Sequence, residues 1–207
     1  MKYSKLFSPI QIRGVTFPNR VIQSAMGTLM VGVDKKVNQA VTDFLTARAK
    51  GGVGLVYSQC CGVDDNSTPE GFLCIGTDEQ GESHKMLTQS IHAVGGKVGI
   101  QLLQGAICAA PAKIYVPSDM PGFDGSIIPG MSKDDVHYIV EAFGRAAHRA
   151  VEAGYDIIEI HCAHGYLQYL FMNPTMNRRE DEYGGSFENR FQFAFETIAA
   201  VRSQMPD

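Results

Sequence analysis

Short apolar runs alternate with longer amphipathic stretches along this chain. Four of the apolar runs have the length and the flanking turn residues of buried strands; they cover about 20–25, 53–58, 97–103 and 155–161. The amphipathic stretches have apolar positions at helical spacing; they predict helices over about 39–50, 84–94, 133–153 and from near 186 to 206. Strand and helix therefore alternate four times, which predicts right-handed parallel βαβ units.

Capping residues and glycines mark the ends of these helices. Asn38 stands before the first helix as an N-cap, and Ser132 with Asp135 forms an approximate capping box before the third. Glycines follow the first three helices, at positions 51–52, 95–96 and 154. Glycine readily adopts the left-handed backbone that ends a helix, so we expect the helices to stop there.

Two architectures fit this order of elements. Parallel strands joined by helices can close into a (β/α)8 barrel or spread into an open doubly wound sheet, which are both α/β folds. The periodicity of the sequence does not choose between them. In a barrel, the carboxyl ends of the strands form the reactive face.

The most informative chemistry lies at the end of the fourth strand. The isoleucines of 157–160 form a β-branched run, which predicts a strand buried on both faces. His161 and His164 follow at its end, and Tyr166 comes two residues later. Two imidazoles can hydrogen-bond a carbonyl oxygen and stabilise negative charge there, and a phenol with a pKa of about 10 can donate a proton. Together these residues could polarise an enone and protonate it.

A metal site is the alternative for the same histidines. Neutral imidazole is a common zinc ligand, but no third ligand stands at a suitable spacing from His161 and His164. We therefore favour hydrogen bonding over metal binding here. The other histidines lie in helical stretches, where we expect surface or packing roles; they are His84, His92, His137 and His148.

Composition narrows the class of protein. The 207 residues are 44% hydrophobic, and a net charge of -4 with a pI near 5.8 gives no reason to expect nucleic acid or an anionic membrane as a partner. The first residues lack the apolar core of a signal peptide, and no run of about 18 uncharged apolar residues occurs. The five cysteines form no CxxC pair, so we expect reduced thiols in a cytoplasmic protein.

Several motifs stand together at a spacing that chance would hardly reproduce. They are HCAHGY at 161–166, Pro174, NRR at 177–179 and DEYGGSFENRF at 181–191. This region resembles the signature of the old yellow enzyme family, the FMN-dependent NADH:flavin oxidoreductases and ene-reductases. A separate stretch, LFSPIQIRGVTFPNRVIQSAM at 6–26, resembles the opening of the same family, which has a Leu-Phe-x-Pro start and an Asn-Arg before the first strand.

The resemblance implies a fold. Family members are FMN-binding TIM (β/α)8 barrels, so we expect a single partial domain over 1–207 that holds about four βα units, the N-terminal half, with the C-terminal half absent from the chain. A truncated polypeptide or an incomplete gene model would explain this length. An open half-barrel has two unpaired strand edges, which favour aggregation or dimerisation into a pseudo-barrel, so homo-oligomerisation is one expectation.

The resemblance also implies an activity. Such an enzyme passes a hydride from NADH or NADPH through FMN to the β-carbon of an activated alkene, a small enone or enoate. His161 and His164 would hold the substrate carbonyl, and Tyr166 would protonate the α-carbon. The alternative is an inactive fragment or a non-catalytic half-barrel that serves as an interaction or assembly module. Longer relatives, such as dienoyl-CoA and enoate reductases, add an iron–sulfur cluster and a second flavin domain with FAD after the barrel.

Flavin contacts are implied residue by residue. They are Ser24, Ala25, Met26, Gly27, Cys60 and Gln101. Small residues in the loop 24–27 let the backbone approach a flat ring, although a tight strand-to-loop transition is the plainer interpretation. The backbone of Cys60 would lie near the flavin, with its thiol incidental. The amide of Gln101 would donate to and accept from the flavin pyrimidine edge, unless it is a buried glutamine satisfied by backbone.

The chain departs from the family pattern after Gln101. Residues 104–107, Gln-Gly-Ala-Ile, occupy places where a histidine and a Gly-Arg pair are usual, which indicates a different substrate at the active-site rim. The segment 109–130, rich in Pro and Gly, is expected to form a loop over the site. The phosphate-binding loops of the family lie on later strands, so we expect this chain alone to bind FMN weakly or not at all.

Other motif residues have an expected structural role. We expect them to brace the loop that enters the fourth helix. These residues are Asn177, Arg178, Asp181, Tyr183, Gly184, Gly185, Glu188 and Arg190.

Overall fold

Parallel strands separated by helices form the body of this computed structural model, which describes residues 3–105, 113–122 and 124–206. The first elements are the hairpin β1 (Ile10–Ile12) and β2 (Val15–Phe17), then β3 (Ile22–Gln23), α1 (Gln39–Lys50), β4 (Leu55–Gly62), a 3-10 turn (Asp65–Ser67) and β5 (Leu73–Cys74). The next are α2 (Asp78–His92), β6 (Val98–Leu103), the hairpin β7 (Met120–Pro121) and β8 (Ile127–Ile128), α3 (Lys133–Glu152), β9 (Ile157–Ile160), α4 (Leu167–Met172) and α5 (Phe187–Arg202).

The order of the strands decides between a barrel and a doubly wound sheet. The strands β3, β4, β6 and β9 pair in chain order and in parallel, with Ile22 opposite Leu55 and Val56 opposite Val98. A doubly wound sheet reverses its strand order and has helices on both faces. Here α1, α2 and α3 pack in one cluster against one face of the sheet, which we call the helix side. This is the winding of a (β/α)8 barrel over four of its units.

Two predicted helix starts are confirmed. The Asn38 side chain accepts a hydrogen bond from the Val41 N–H at 3.0 Å, so α1 begins after Asn38. Ser132 and Asp135 form a complete capping box before α3. The glycine stops are also confirmed, because residues 52, 95 and 154 have φ values of 94, 76 and 88°.

The predicted start of α2 was wrong. The helix begins at Asp78 rather than near residue 84. Thr77 and Gln80 form a capping box, with the Gln80 N–H donating to Thr77 Oγ1 at 3.2 Å and the Thr77 N–H donating to Gln80 Oε1 at 3.1 Å. The first turn is polar, so apolar periodicity did not reveal it.

The helix side of the sheet holds the main core. Val56, Ile100 and Leu102 are fully buried there against the helices. His84 of α2 is buried in the same layer, where its Nδ1 lies 2.6 Å from Tyr155 Oη. Burial lowers the pKa of His84 to about 4, so the ring is neutral at pH 7.

The other face of the sheet, which we call the open face, has a smaller cluster. Its buried members are Phe17, Leu55 and Tyr57. The β1–β2 hairpin packs Ile10 and Val15 against it; periodicity missed this hairpin because each strand has three residues. Gly99 lies beneath Tyr57, and a Cβ at residue 99 would be 2.6 Å from Tyr57 Cε1. The close approach of the ring therefore requires glycine at this position.

The prediction that residues 157–160 are buried on both faces was wrong. Ile157, Ile158 and Ile160 are only half-buried. Strand β9 pairs with β6 on one side, and among the described residues no strand pairs with its other side. An edge strand keeps part of each side chain accessible, which explains the difference.

Two further expectations concern cysteines and membranes. Cys60, Cys61, Cys74 and Cys162 are free thiols, and Cys108 lies outside the described residues. Within the described ranges, no helix has the length and apolar character needed to cross a bilayer.

Candidate active site

His161 lies directly after β9 at the carboxyl edge of the sheet. Its N–H donates to the Leu102 carbonyl at 2.9 Å, so the ladder between β6 and β9 continues to this residue. Its Nδ1 accepts a hydrogen bond from the Ala163 N–H at 3.3 Å. A neutral ring that accepts at Nδ1 carries its proton on Nε2. Burial, followed by the neighbouring His164, lowers the pKa of His161, which favours this neutral form.

His164 is placed by a left-handed turn. Its φ is 57°, which is uncommon for a residue with a Cβ, and Gly165 follows with a φ of 78°. The turn sets His164 Nδ1 3.2 Å from His161 Nε2, with the two rings edge to face at a centroid distance of 5.0 Å. The His161 Nε2–H therefore donates to His164 Nδ1. The proton of a neutral His164 then lies on its own Nε2 and is available to a further acceptor.

Tyr166 completes a cluster of three side chains. It is the N-cap residue of α4, and its N–H donates to the Ala163 carbonyl at 3.1 Å. The Tyr166 ring lies 4.7 Å from the His161 ring. The structure thus brings together all three residues predicted to be catalytic. Helix α4, which the periodicity missed because it has six residues, orients the third of them.

A polar row crosses the open face one level below the histidines. Cys60, Gln101 and Glu159 stand opposite one another on β4, β6 and β9. A β-bulge between Tyr57 and Cys60 shifts the register of β4 by one residue. Because of this shift, both side chains lie on the open face. The Cys60 thiol donates to Gln101 Oε1 at 3.0 Å, a contact that the sequence did not predict.

Glu159 is a site residue that sequence reasoning missed. It accepts a hydrogen bond from Gln101 Nε2, and its carboxylate lies near enough to the Tyr57 hydroxyl to affect the pKa of that group. Burial, reinforced by the Glu159 carboxylate, raises the pKa of Tyr57 to about 12, so Tyr57 stays a donor. The available signal was a charged residue between Ile158 and Ile160 in an otherwise apolar strand.

The predicted flavin loop follows β3. Ser24, Met26 and Gly27 are exposed, and Ala25 is half-buried against the open-face cluster. A Cβ at Gly27 would meet nothing within 4 Å, so the loop has open space in front of it. The Thr28 N–H donates to Gln59 Oε1 at 2.9 Å, which anchors the end of the loop to β4.

The hydrogen-bonding groups on the open face can be compared with those that FMN requires. A flavin pyrimidine edge needs a donor beside an acceptor, and a primary amide has two N–H groups and two lone pairs. Gln101 uses one N–H on Glu159 and one lone pair on Cys60, so one of each remains. With the open space at Gly27, the donor set fits a flavin.

Gln104 does not lie on the active-site rim. Its side chain is 1% exposed and its Nε2 donates to Ser67 Oγ, so this part of the rim prediction was wrong. Ala106 and Ile107 lie outside the described residues, as does part of the predicted loop over 109–130. The rest of that segment includes the β7–β8 hairpin.

The loop before α5 is braced as predicted. Asn177 Nδ2 donates to the carbonyls of Phe171 and Tyr183, each at 2.7 Å. Arg190 Nε donates to the Met172 carbonyl at 3.1 Å. The main cross-link, Arg179, was not predicted.

Arg179 ties this loop to the segment before α3. It forms a bidentate pair with Asp181 at 3.0 and 2.7 Å and donates to the Pro117 carbonyl at 2.9 Å. Gly184 has no room for a Cβ because the Arg179 carbonyl lies against it. These contacts hold the chain between α4 and α5 against the segment before α3.

The alternative of a metal site would require ligands besides His161 and His164. Among the residues that the structure describes, no group of three or more His, Cys, Asp or Glu side chains could hold a metal ion.

Comparisons with known proteins cover nearly the whole chain. A family model described as the NADH:flavin oxidoreductase / NADH oxidase family matches residues 5–206. An NADPH dehydrogenase of Listeria monocytogenes serotype 4a is 41% identical over an alignment of 206 residues that covers 96% of this chain and 60% of that protein. An NADPH dehydrogenase of Bacillus velezensis is 38% identical over 202 residues, with the same coverage. The chain thus spans about 60% of the length of these relatives.

Solved structures show the same fold. An Old Yellow Enzyme from Pichia sp. AKU4542 is 25% identical with a TM-score of 0.91, over 97% of this chain and 56% of that one. Morphinone reductase is 27% identical with a TM-score of 0.82, over 98% and 60%. An old yellow enzyme homologue from Zymomonas mobilis is 24% identical with a TM-score of 0.87, over 97% and 60%, and supports the fold alone. The predicted N-terminal part of a TIM (β/α)8 barrel is confirmed.

Proposed function

This chain belongs to the NADH:flavin oxidoreductase / NADH oxidase family, and we propose that it is the N-terminal part of an FMN-dependent NAD(P)H oxidoreductase that reduces an activated alkene. The observation that carries the proposal is the cluster of His161, His164 and Tyr166 at the carboxyl edge of the sheet, directly above Gln101 on the same barrel face. Relatives named NADPH dehydrogenase favour NADPH as the reductant.

The histidines bind the carbonyl oxygen of the substrate. The Nε2–H of His164 is the donor that the resting network leaves available. Joint binding of one carbonyl by both rings requires the 3.2 Å contact between His161 and His164 to open, which frees the His161 Nε2–H. Hydrogen bonds to the oxygen withdraw electrons from the conjugated alkene and stabilise the negative charge that develops there.

Tyr166 supplies the proton. When bound, FMN would carry a hydride from NAD(P)H to the β-carbon. The Tyr166 hydroxyl then donates its proton to the α-carbon, and the phenolate regains a proton from water. The turn at His164 and Gly165 keeps the carbonyl-binding rings and the acid on one short segment, which fixes their mutual distance.

The flavin contacts proposed for this chain lie on two strands, β4 and β6, and on one loop. Gln101 offers its remaining N–H and lone pair to the pyrimidine edge, and the backbone at Cys60 lies beside it. The loop of Ser24, Ala25, Met26 and Gly27 provides a surface for the ring. The phosphate end of FMN would need residues from the part of the relatives that this chain does not match, so affinity for FMN is weak here.

Turnover is tested in the chain fused to the remaining part of the Listeria monocytogenes relative. Changing Tyr166→Phe removes the proton donor but keeps the ring, so the reduction of 2-cyclohexenone falls about 10²–10⁴-fold while FMN reduction by NADPH continues. His148→Gln, an exposed change on α3, is the control and leaves both rates unchanged. Equal rates of enone reduction for Tyr166→Phe and the control would reject the proposed role of Tyr166.

A further inference from the structure

Glu159 is a half-buried carboxylate on the edge strand β9, where it faces the open face. It accepts a hydrogen bond from the Gln101 amide. The Tyr57 ring, which is buried over Gly99, lies near the same carboxylate, and the charge of Glu159 helps to raise the pKa of Tyr57. A hydrogen bond with an ionised partner is about twice as strong as a neutral one. The Glu159 carboxylate therefore holds the Gln101 amide firmly.

Cys60 engages the other end of the same amide. Its thiol lies 3.0 Å from Gln101 Oε1. Burial raises the pKa of the Cys60 thiol, which keeps the S–H proton in place as a donor at neutral pH. A carboxylate only accepts and a protonated thiol donates, so the Gln101 amide has one orientation that satisfies both neighbours.

We propose that Glu159 is a positioning residue that fixes the Gln101 amide with its NH2 group toward β9 and its carbonyl toward β4. The remaining N–H and lone pair of Gln101 then have defined places on the open face. An amide turned by 180° would exchange them and present the wrong group to each atom of a flavin edge. This last consequence rests on the proposed function, whereas the orientation of the amide does not.

The orientation is tested in the 207-residue chain without flavin, by 15N NMR of the Gln101 side-chain amide. In the wild type, we expect two well-separated N–H signals, with the one bonded to Glu159 shifted downfield. Glu159→Leu removes the acceptor and brings the two signals together. Glu159→Gln retains an acceptor oxygen and keeps most of the separation. Glu152→Gln, which removes an exposed carboxylate from α3, leaves the spectrum of Gln101 unchanged.

Two outcomes of this measurement are decisive. Unchanged Gln101 signals in a folded Glu159→Leu protein would overturn the proposal. If Glu159→Leu does not fold, Glu159→Met replaces it, because methionine has an unbranched side chain of similar length and also lacks the carboxylate acceptor. Gln101 signals unchanged in a folded Glu159→Met protein would then count equally against the proposal.

The flavin-facing part is tested by titrating FMN into the fused protein described above. Quenching of flavin fluorescence and the visible flavin band report binding. Glu159→Leu is expected to raise the Kd for FMN roughly tenfold and to shift the band. Gln101→Ala is expected to do the same, and the double variant to be no weaker than either, because Glu159 acts through Gln101. Additive losses would contradict positioning. If the fused wild type binds no FMN, the proposed function fails, and the NMR comparison still decides the role of Glu159.

Discussion

The helix side and the open face of the sheet are built from alternate residues of the same strands, yet they differ in kind. Ile100 points to the helix side, where it is fully buried among apolar groups. Its neighbour Gln101 points to the open face and joins a row of polar side chains. Alternation along a strand separates the two environments by a single residue. The free energy of folding therefore comes mainly from one face, which leaves the other free for polar chemistry.

Replacing these two neighbours in turn is the most direct test of the difference between the two faces. Ile100→Ala should reduce the free energy of unfolding by about 2–5 kcal/mol, because it removes buried methyl groups and leaves a cavity. Gln101→Ala should reduce it by only about 1 kcal/mol, since it removes hydrogen bonds that are partly open to water. Urea unfolding measures both values. Similar losses for the two variants would show that the faces do not differ in this way.

The stability contributed by the helix side should also depend on pH, because a histidine is buried there. His84 is fully buried there and its folded pKa is about 4, below about 6.5 in an unfolded chain. Between these values the unfolded chain binds the proton and the folded chain does not. Stability is therefore complete above about pH 6.5 and falls as the pH drops toward 4, by about 3 kcal/mol.

Urea unfolding between pH 7 and 4 measures this loss. His148→Gln, a change at an exposed histidine on α3, should keep the full pH dependence of the wild type. His84→Gln should flatten the curve over the same range. An unchanged slope in His84→Gln would show that other groups cause the loss.

A further change on the open face is expected to have a smaller effect than the loss of Ile100 or the protonation of His84. Gly99→Ala places a Cβ against the Tyr57 ring and should reduce the free energy of unfolding by about 1–3 kcal/mol. Gly14→Ala is the control, since a Cβ there would meet nothing within 4 Å and glycine is not needed for its φ. Thermal unfolding of both variants measures the difference. A Gly99→Ala protein as stable as the control would show that Tyr57 packs more loosely than the structure indicates.

Much of the fold could be predicted because its signals are local. Caps such as Asn38 and Ser132 act within one helical turn, and the isoleucines of β9 carry a strand signal by themselves. The elements that were missed are short, as α4 is, or begin with a polar turn, as α2 does. Such elements form because tertiary contacts stabilise them, and these contacts have no period in the sequence.

The residues of the candidate site also differ in whether a local sequence pattern predicts them. Residue patterns alone were enough to predict the family and the alternation of strands and helices. They also predicted the trio of His161, His164 and Tyr166, because these three residues lie within one short segment. Only the tertiary structure placed Cys60 and Glu159 on either side of Gln101. Cys60 and Gln101 are 41 positions apart in the chain, and Gln101 and Glu159 are 58 positions apart. Strand register and a β-bulge bring them into one row. Strand register depends on packing across the whole sheet, which no local pattern of residues encodes.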